Sequence, residues 1–406
     1  MYLGTSSGAP DGRHPMATKI TLASAGGLGA LMMATFVAIT TEILPVGLLP
    51  QMSHDFGVSD STVGLVVTLY AVVVAILALP LTALTARLPR KALLLASIAG
   101  YGLSSAIVAL APTFAILCVG RAIGGVAHAL FFSVVAAYAS RLVPPELVGR
   151  AIAIAFAGTS LGYVLGVPLA TSIGAAIRWR AGFAALAGAS LILILVTGSL
   201  LPPVRNDHGE STARIRWRGT GIIAVGFANL LVFLAEYTAY TYIAPILLQA
   251  GLPKSAVGAS LLLFGGAGIV GLWSASRFVD RRPRAGAVVT FGVLALGLAA
   301  AALATRSLVA LLVAATVWSI AFGAAPSYLM TAAIRTKSGS PDSAGAIVNG
   351  SSNLGIAGGA ALGSVLLGAT GSVGPLVVAS ALGVVATVLV ALARRGFPSV
   401  PPPSVE

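Results

Sequence analysis

The chain has 406 residues and is short of charge, above all of acid. Asp and Glu together number 11, and charged residues of both signs make up 9% of the whole. Soluble domains carry about 25% charged residues, so an ordinary water-facing surface is excluded. Cysteine is almost missing. Cys118 stands alone in an apolar run, which rules out a disulfide within the chain and a cysteine-type metal site and leaves a packing role. Long polar stretches are scarce too, so no sizeable soluble domain is available for an enzyme or a receptor head. No Walker lysine motif is present, which removes support for ATP-driven pumping.

What is present is apolar. Hydrophobic residues make up 57% and the mean hydropathy is +0.99. A bilayer can act as solvent for that much apolar surface where a soluble core cannot. A span needs about 20 mostly apolar residues, and twelve such runs occur, at 20–49, 61–83, 92–111, 113–138, 150–174, 181–201, 219–249, 256–276, 286–304, 307–333, 344–369 and 372–393. Helices are expected for all twelve, because each helix satisfies its own backbone hydrogen bonds in lipid. The predicted class is an all-α membrane protein.

The net charge of +13 does not point to nucleic acid. The basic residues sit in short clusters between apolar runs, as expected for loops beside anionic lipid. With the N-terminus placed inside, the inner segments hold 19 Lys and Arg, while the outer ones hold four, Arg178, Arg180, Lys254 and Arg306. Arg121 lies within a span. This bias predicts both termini in the cytoplasm, an even number of spans, and a multi-pass protein of the inner or plasma membrane. Residues 1–19 are polar and Gly/Ser/Pro-rich and are expected to be a disordered cytoplasmic segment, with Met16 an alternative start. They do not resemble a cleavable signal, because the apolar run that follows is too long. The longest charged connection, PVRNDHGESTARIRWR, falls at the midpoint. The expected layout is a six-helix bundle at 20–201, a cytoplasmic linker at 202–218, a second six-helix bundle at 219–395 and a disordered tail at 396–406.

The two halves repeat. A shift of 194 residues carries Gly57 onto Gly251, Gly64 onto Gly258, Arg87 onto Arg281, Pro89 onto Pro283, Arg90 onto Arg284, Arg141 onto Arg335 and Glu42 onto Glu236. Chance pairs of Gly and Arg are common, but this set falls at one offset in equivalent loops and spans. Parallel halves with a substrate site between them near the midplane are a known transporter plan.

These features resemble the major facilitator superfamily. Within it, Thr41-Glu42-Ile43-Leu44-Pro45-Val46-Gly47-Leu48-Leu49-Pro50 and Tyr240-Thr241-Tyr242-Ile243-Ala244-Pro245 are similar to the twelve-span drug–proton antiporters, including sugar- and arabinose-efflux permeases. The resemblance implies two pseudo-symmetric six-helix bundles, with spans one, four, seven and ten around a central cavity. It implies a charged cytoplasmic latch at Arg87, Arg90, Asp280, Arg281 and Arg284, although Ala86 stands where the family has an acid. It also implies that Arg121-Ala-Ile-Gly-Gly125 is the intramembrane arginine motif. Gly158, Gly162 and Gly166 with Pro168 form a partial antiporter motif, in which Val167 separates the usual Gly-Pro pair. Gly355, Gly359 and Gly363 repeat its spacing in span eleven. Four-residue spacing of glycine makes a smooth face for close helix packing and needs no transport role.

Charge inside a span costs about 2.5–3.5 kcal/mol on insertion scales, so Glu42, Arg121 and Glu236 need a reason to be there. His128 joins them as a titratable group, seven residues from Arg121 and near the same helix face. At 1.5 Å per residue, Glu42 and Arg121 are both expected roughly 10–12 Å below the outer surface, close enough to pair. Glu42 and Glu236 are the candidate proton-binding carboxylates. Arg121, His128, Tyr240 and Tyr242 are the candidate cavity or substrate residues. For each, a purely structural role is the alternative: an ion pair, a helix contact or an interfacial aromatic belt. Two apparent motifs are discounted, because Gly158-Thr-Ser160-Leu-Gly162 and Gly266-Ala-Gly268-Ile-Val-Gly271 both lie inside apolar spans.

The expected function is secondary active export of a small solute, such as a drug, a sugar or a nucleoside-like metabolite, by proton antiport with alternating access. Proton symport or facilitated uptake on the same fold is the alternative, and a non-transporting membrane receptor a more distant one. No enzyme activity, cofactor, metal or nucleic-acid partner is expected. The proton gradient is the energy source, the partners are a small-molecule substrate and lipid, and the chain is expected to be a monomer.

Overall fold

The structure, a computed structural model, describes residues 22–85, 87–144, 147–202, 220–279, 281–338 and 341–397. The expected N-terminal segment 1–19, nearly all of the linker 202–218, most of the tail and Asp280 lie outside the described residues. The chain runs through α1 (Leu22–Phe56), α2 (Asp60–Leu84), α3 (Arg90–Leu110), α4 (Phe114–Ser140), α5 (Val148–Leu161), a π-helical turn (Gly162–Gly166), α6 (Val167–Ala176) and α7 (Trp179–Leu200). The second half holds α8 (Thr220–Tyr240), α9 (Ile243–Gln249), α10 (Val257–Phe278), α11 (Pro283–Leu303), α12 (Leu308–Arg335), α13 (Pro341–Thr370) and α14 (Val373–Leu392). Twelve helices are long and apolar enough to cross a membrane. The fifth joins α5 and α6 through the π turn, and α8 continues into α9. Among the described residues there is no strand.

The helices form two bundles of six spans. In the first, α3 packs on α4 and α7, α1 on α5 and α7, and α2 on α4. In the second, α8 packs on α13 and α14, α10 on α12, and α11 on α12 and α14. Large apolar side chains such as Ile76, Leu195, Leu296 and Val309 are exposed, as befits surfaces that face acyl chains. The described chain stays packed through Phe397, two residues past the expected bundle limit of 395. Phe397 is buried and Gly396 lies against Gly221 of α8.

Two expected spans differ in form. Helix α1 continues to Phe56 rather than stopping near 49, although Pro45 and Pro50 lie inside it. Proline removes a donor and frees the carbonyl four residues earlier, and packed membrane helices tolerate this where other groups satisfy that carbonyl. In the seventh span α8 ends at Tyr240 and α9 begins at Ile243. Pro245 cannot donate to the Thr241 carbonyl, and the chain takes a tighter turn in which Tyr242 N–H donates to Ala239 O at 3.1 Å. The glycines matched by the repeat have a local cause. Gly57 and Gly251 take φ of +64° and +98° at the ends of α1 and α9, a left-handed helix end that favours glycine.

The loops define two ends. One carries the basic α2–α3 connection and the C-terminal ends of α7 and α14. There Lys91 Nζ donates to Gly198 O of α7 at 2.7 Å, and Arg284 Nη2 donates to Ala391 O of α14. Each cation satisfies a carbonyl left over at a helix C-terminus, where positive charge is favoured. Each does so within its own half. The halves meet toward the opposite, far end. Thr68 Oγ1 of α2 donates to Ala357 O of α13 at 3.2 Å, and Ser364 Oγ of α13 donates to Ser61 O at 2.8 Å. Gly64 of α2 lies directly against the Tyr242 phenol. Its repeat mate Gly258 of α10 lies against Ser172 and the Pro168 carbonyl of α6. A Cβ at either glycine would collide with the other half.

Candidate functional site

Pro45 sets up the first half's polar cluster. It leaves the Thr41 carbonyl without its helical donor, and that carbonyl accepts from Arg121 Nη1 of α4 at 2.6 Å. Arg121 Nη2 donates to the Glu42 carbonyl at 2.8 Å. The guanidinium carbon also lies 4.4 Å from the centre of the Tyr70 ring of α2, a cation–π distance. The expected side-chain pair between Arg121 and Glu42 is thus replaced by bonds to the α1 main chain.

The Glu42 carboxylate turns toward His128, with Oε2 at 3.8 Å from Nδ1. His128 Nδ1 also lies 3.0 Å from Tyr70 Oη, and its ring stacks on Phe132 at 4.5 Å. Glu42, Arg121 and His128 are all buried, at 4%, 0% and 5% exposure. Thr41 Oγ1, Arg121 Nε and Tyr101 Oη are buried without a hydrogen-bond partner, so the cluster keeps spare hydrogen-bonding capacity. The phenol and the imidazole are hydrogen-bonded and the carboxyl lies just beyond bonding distance, so a small approach of Glu42 to His128 would let the trio hold a proton and hand it on. The equal-depth expectation needs adjustment. With α1 ending at Phe56, Glu42 stands about 21 Å from that end, although Phe56 lies beside Phe114 at the start of α4 and Arg121 still reaches the Glu42 carbonyl.

The second half has a different cluster around Glu236. Its Oε2 accepts from the indole Nε1 of Trp318 on α12 at 2.5 Å. Trp318 is itself buried, and α11 comes close enough to hold it only because Gly297 has no side chain. One layer away, Phe233 meets Phe322 edge-on at 5.4 Å. At the offset of 194 the mates of Arg121, His128 and Tyr70 are Ala315, Phe322 and Phe264. The acid is kept in both halves while the cation, the imidazole and the phenol are replaced by apolar groups.

A third contact bridges the two halves. Tyr163, inside the π turn, lies hydroxyl to hydroxyl at 3.0 Å from Tyr237, the neighbour of Glu236. Tyr240 is half-buried and packs edge-on to Tyr237 at 6.4 Å. Tyr242 is fully buried and donates to Ala360 O at 2.7 Å, so it belongs to the far-end contact rather than to open space. Trp318, Tyr70, Tyr163 and Tyr237 were not singled out from sequence as partners of the glutamates. An aromatic within an apolar span carries no spacing that marks its partner.

The glycine stripes are helix contacts. Gly158, Gly162 and Gly166 seat the fifth span on Met32, Phe36, Ile39 and Thr40 of α1. Gly355, Gly359 and Gly363 seat α13 on Leu230, Leu234 and Thr238 of α8. Pro168 follows the π turn, an irregularity of the kind that accommodates a missing N–H. Of the expected latch residues, Arg87 and Arg281 are exposed, Arg90 is half-buried, and Arg284 is bound within its own half.

The family model described as Major Facilitator Superfamily matches residues 31–341. Among solved structures, the chain is similar to a bacterial homologue of the human lysosomal transporter Spinster in an inward-facing, unoccupied conformation. That match has a TM-score of 0.75 at 16% identity and covers 93% of this chain and 98% of the other. An occupied, inward-facing structure of that homologue matches with a TM-score of 0.73 at 16% identity, covering 91% and 96%. The human organic anion transporter MFSD10 matches with a TM-score of 0.65 at 19% identity, covering 90% and 99%. These likenesses confirm the fold expected from the twelve runs and the repeat. The chain belongs to the Major Facilitator Superfamily and is a multi-pass membrane transporter, not an enzyme.

Proposed function

We propose that the chain exports a small solute from the cytoplasm in exchange for protons. Both termini and the basic loops are read as cytoplasmic, on the charge bias of the loops, in the inner or plasma membrane. On that orientation the contacts that join the halves lie on the outer side, an arrangement in which cargo would enter from the cytoplasm. The observation that carries the reading is Glu42, a buried carboxyl that faces His128 at 3.8 Å while the nearby guanidinium is engaged by main-chain carbonyls. Burial disfavours an ionised carboxyl, and an approaching guanidinium favours it. A shift of α4 against α1 that moves Arg121 from the carbonyls to the carboxylate would release the proton. The reverse shift would let it bind. Rocking of the two bundles supplies such a shift. Glu236 is the second proton-binding carboxyl, held by the Trp318 indole.

The test is efflux of a substrate panel from cells, with and without a collapsed proton gradient, for the wild type, Glu42→Gln and Glu236→Gln. Gradient-dependent efflux that loses its pH dependence in Glu42→Gln is expected. Efflux with unchanged pH dependence in both variants refutes the coupling. Uptake that persists without a gradient indicates facilitated transport instead.

A further inference from the structure

The second half carries a groove for which the transport reading has no use. It lies between α10 and α12 and has a volume of about 500 Å³, within the range of about 300–1,000 Å³ typical of ligand sites. Its walls include Leu262, Leu263, Gly266 and Val270 of α10 with Thr316 and Ile320 of α12. The Thr316 hydroxyl donates to Leu312 O of its own helix at 2.7 Å, so the groove presents an apolar surface. A Cβ at Gly266 would meet nothing within 4 Å. The groove opens away from the rest of the protein. Gly258 and Gly265 of α10 touch the fifth span, and Gly268 and Gly271 touch α12, whereas Leu262, Leu263 and Val270 are exposed. In a chain that crosses a membrane, such a face meets acyl chains.

The repeat accounts for the space. At the offset of 194 the mates of Ala259, Gly266 and Ala267, which all line the groove, are Leu65, Val72 and Val73. The second half has small residues where the first has bulk.

The groove leads to a cation. Gly266, Val270, Trp273 and Arg277 follow one another along α10 in steps of three and four residues and so share one face. Trp273 is exposed, and the Arg277 guanidinium lies over its ring at 3.8 Å from the centre. This pair has no counterpart in the first half, where the mates are Leu79 and Ala83. A guanidinium stacked by its face keeps its N–H edge for a phosphate. Arg281 and Arg282 are exposed just beyond. The segment 277–284 holds four arginines against one acid, Asp280. Among the described residues no carboxylate pairs with Arg277, Arg281 or Arg282. Gly266 and Arg277 are about 16 Å apart along the helix axis, close to half of a hydrocarbon core of about 30 Å.

We propose that the groove between α10 and α12, with Trp273 and Arg277 at its end, binds one anionic phospholipid, an acyl chain in the groove and the phosphate on Arg277. One molecule accounts for both features. A chain laid from Arg277 to Gly266 crosses one leaflet, the headgroup charge meets a cation that lacks an acid, and the indole sits at the interface, where tryptophan is favoured. Basic pockets between spans hold anionic headgroups in this way. The lipid is a resident ligand and not the cargo, so the assignment is independent of transport direction and of proton coupling.

The experiment uses the purified full-length chain in detergent micelles, titrated with phosphatidylglycerol or phosphatidylcholine whose matched acyl chains carry bromine. Bromine quenches nearby tryptophan emission. Trp179 and Trp318 are buried and Trp273 is exposed, so Trp273 is the reporter. The expected result is saturable quenching at a several-fold lower mole fraction of phosphatidylglycerol than of phosphatidylcholine. Unbrominated phosphatidylglycerol should reverse it, and glycerol 3-phosphate, a headgroup without chains, should not. Arg277→Gln should reduce the preference for phosphatidylglycerol about fivefold, the scale of one basic residue beside anionic lipid. Gly266→Leu fills the groove and should weaken quenching by both lipids. Arg306→Gln, at the opposite end of the molecule, should change nothing. Unchanged thermal unfolding of the variants shows that the effects are not misfolding.

The proposal is overturned if the two lipids quench the wild type alike, if Arg277→Gln keeps the full preference, if Gly266→Leu is quenched as the wild type is, or if the quenching persists in Trp273→Phe.

Discussion

At the scale of single residues, Arg121 is held by geometry as much as by charge. Two of its nitrogens reach adjacent carbonyls of one helix turn, and one of those carbonyls is free because Pro45 lacks an N–H. A lysine keeps the charge but offers a compact ammonium in place of the planar fork. Arg121→Lys should therefore lose at least one hydrogen bond to a charged donor, about 1.5–3 kcal/mol. The expected outcome is a lower thermal midpoint in detergent and severely reduced transport, with normal insertion into the membrane. Wild-type stability in that variant would show that the fork is unimportant. The residues that could be read from sequence were those whose chemistry is out of place in lipid: Glu42, Glu236, Arg121 and His128. Trp318 and the Tyr163–Tyr237 pair were illegible for the converse reason. Aromatic groups are at home in a span, and only the folded chain brings them onto a carboxylate or onto each other.

At the scale of elements, twelve helices were legible because a bilayer demands one long apolar run per crossing. Their ends were less so. Gln51, Ser53, His54 and Asp55 are polar after Pro50 and read as loop, yet α1 carries them as helix to Phe56. Trp179 Nε1 donates to Asp55 there at 2.9 Å, and Arg180 of α7 pairs with the same carboxylate. Tertiary partners outweighed local polarity. The glycine stripes were legible as packing surfaces, and their partners emerged only in the fold. A Cβ at Gly359 would lie 2.7 Å from Leu234 O and 2.9 Å from Thr238 N of α8. Gly359→Val should force α13 off α8 at a cost of about 1–3 kcal/mol or more. Gly345, with no neighbour at its would-be Cβ, is the control: Gly345→Ala should leave the thermal midpoint within a degree or two of wild type. Equal midpoints for Gly359→Val and wild type would contradict the packing.

At the scale of the whole molecule, the two halves are held together at one end by a few close approaches. Gly64 admits the Tyr242 phenol, and Gly258 admits the main chain at Pro168. Opening that end requires both to part. In a Cys118→Ala background, Ser61→Cys with Ser364→Cys should cross-link on mild oxidation, since the Ser364 hydroxyl bonds the Ser61 carbonyl at 2.8 Å. Adding Gly64→Val should block closure and lower the cross-link yield several-fold. An unaffected yield would mean that Gly64 is not part of the closure. The repeat made the two halves visible from sequence, but it said nothing of how far they have diverged. Glu42 and Glu236 are still mates, whereas Arg121 faces Ala315 and His128 faces Phe322 across the offset. Were the bundles two copies of one subunit, every substitution would appear in both sites at once, and a cation lost from one would be lost from the other. Joining them in one polypeptide lifts that constraint: one carboxyl keeps a guanidinium and an imidazole close by, while its twin has come to lie against an indole.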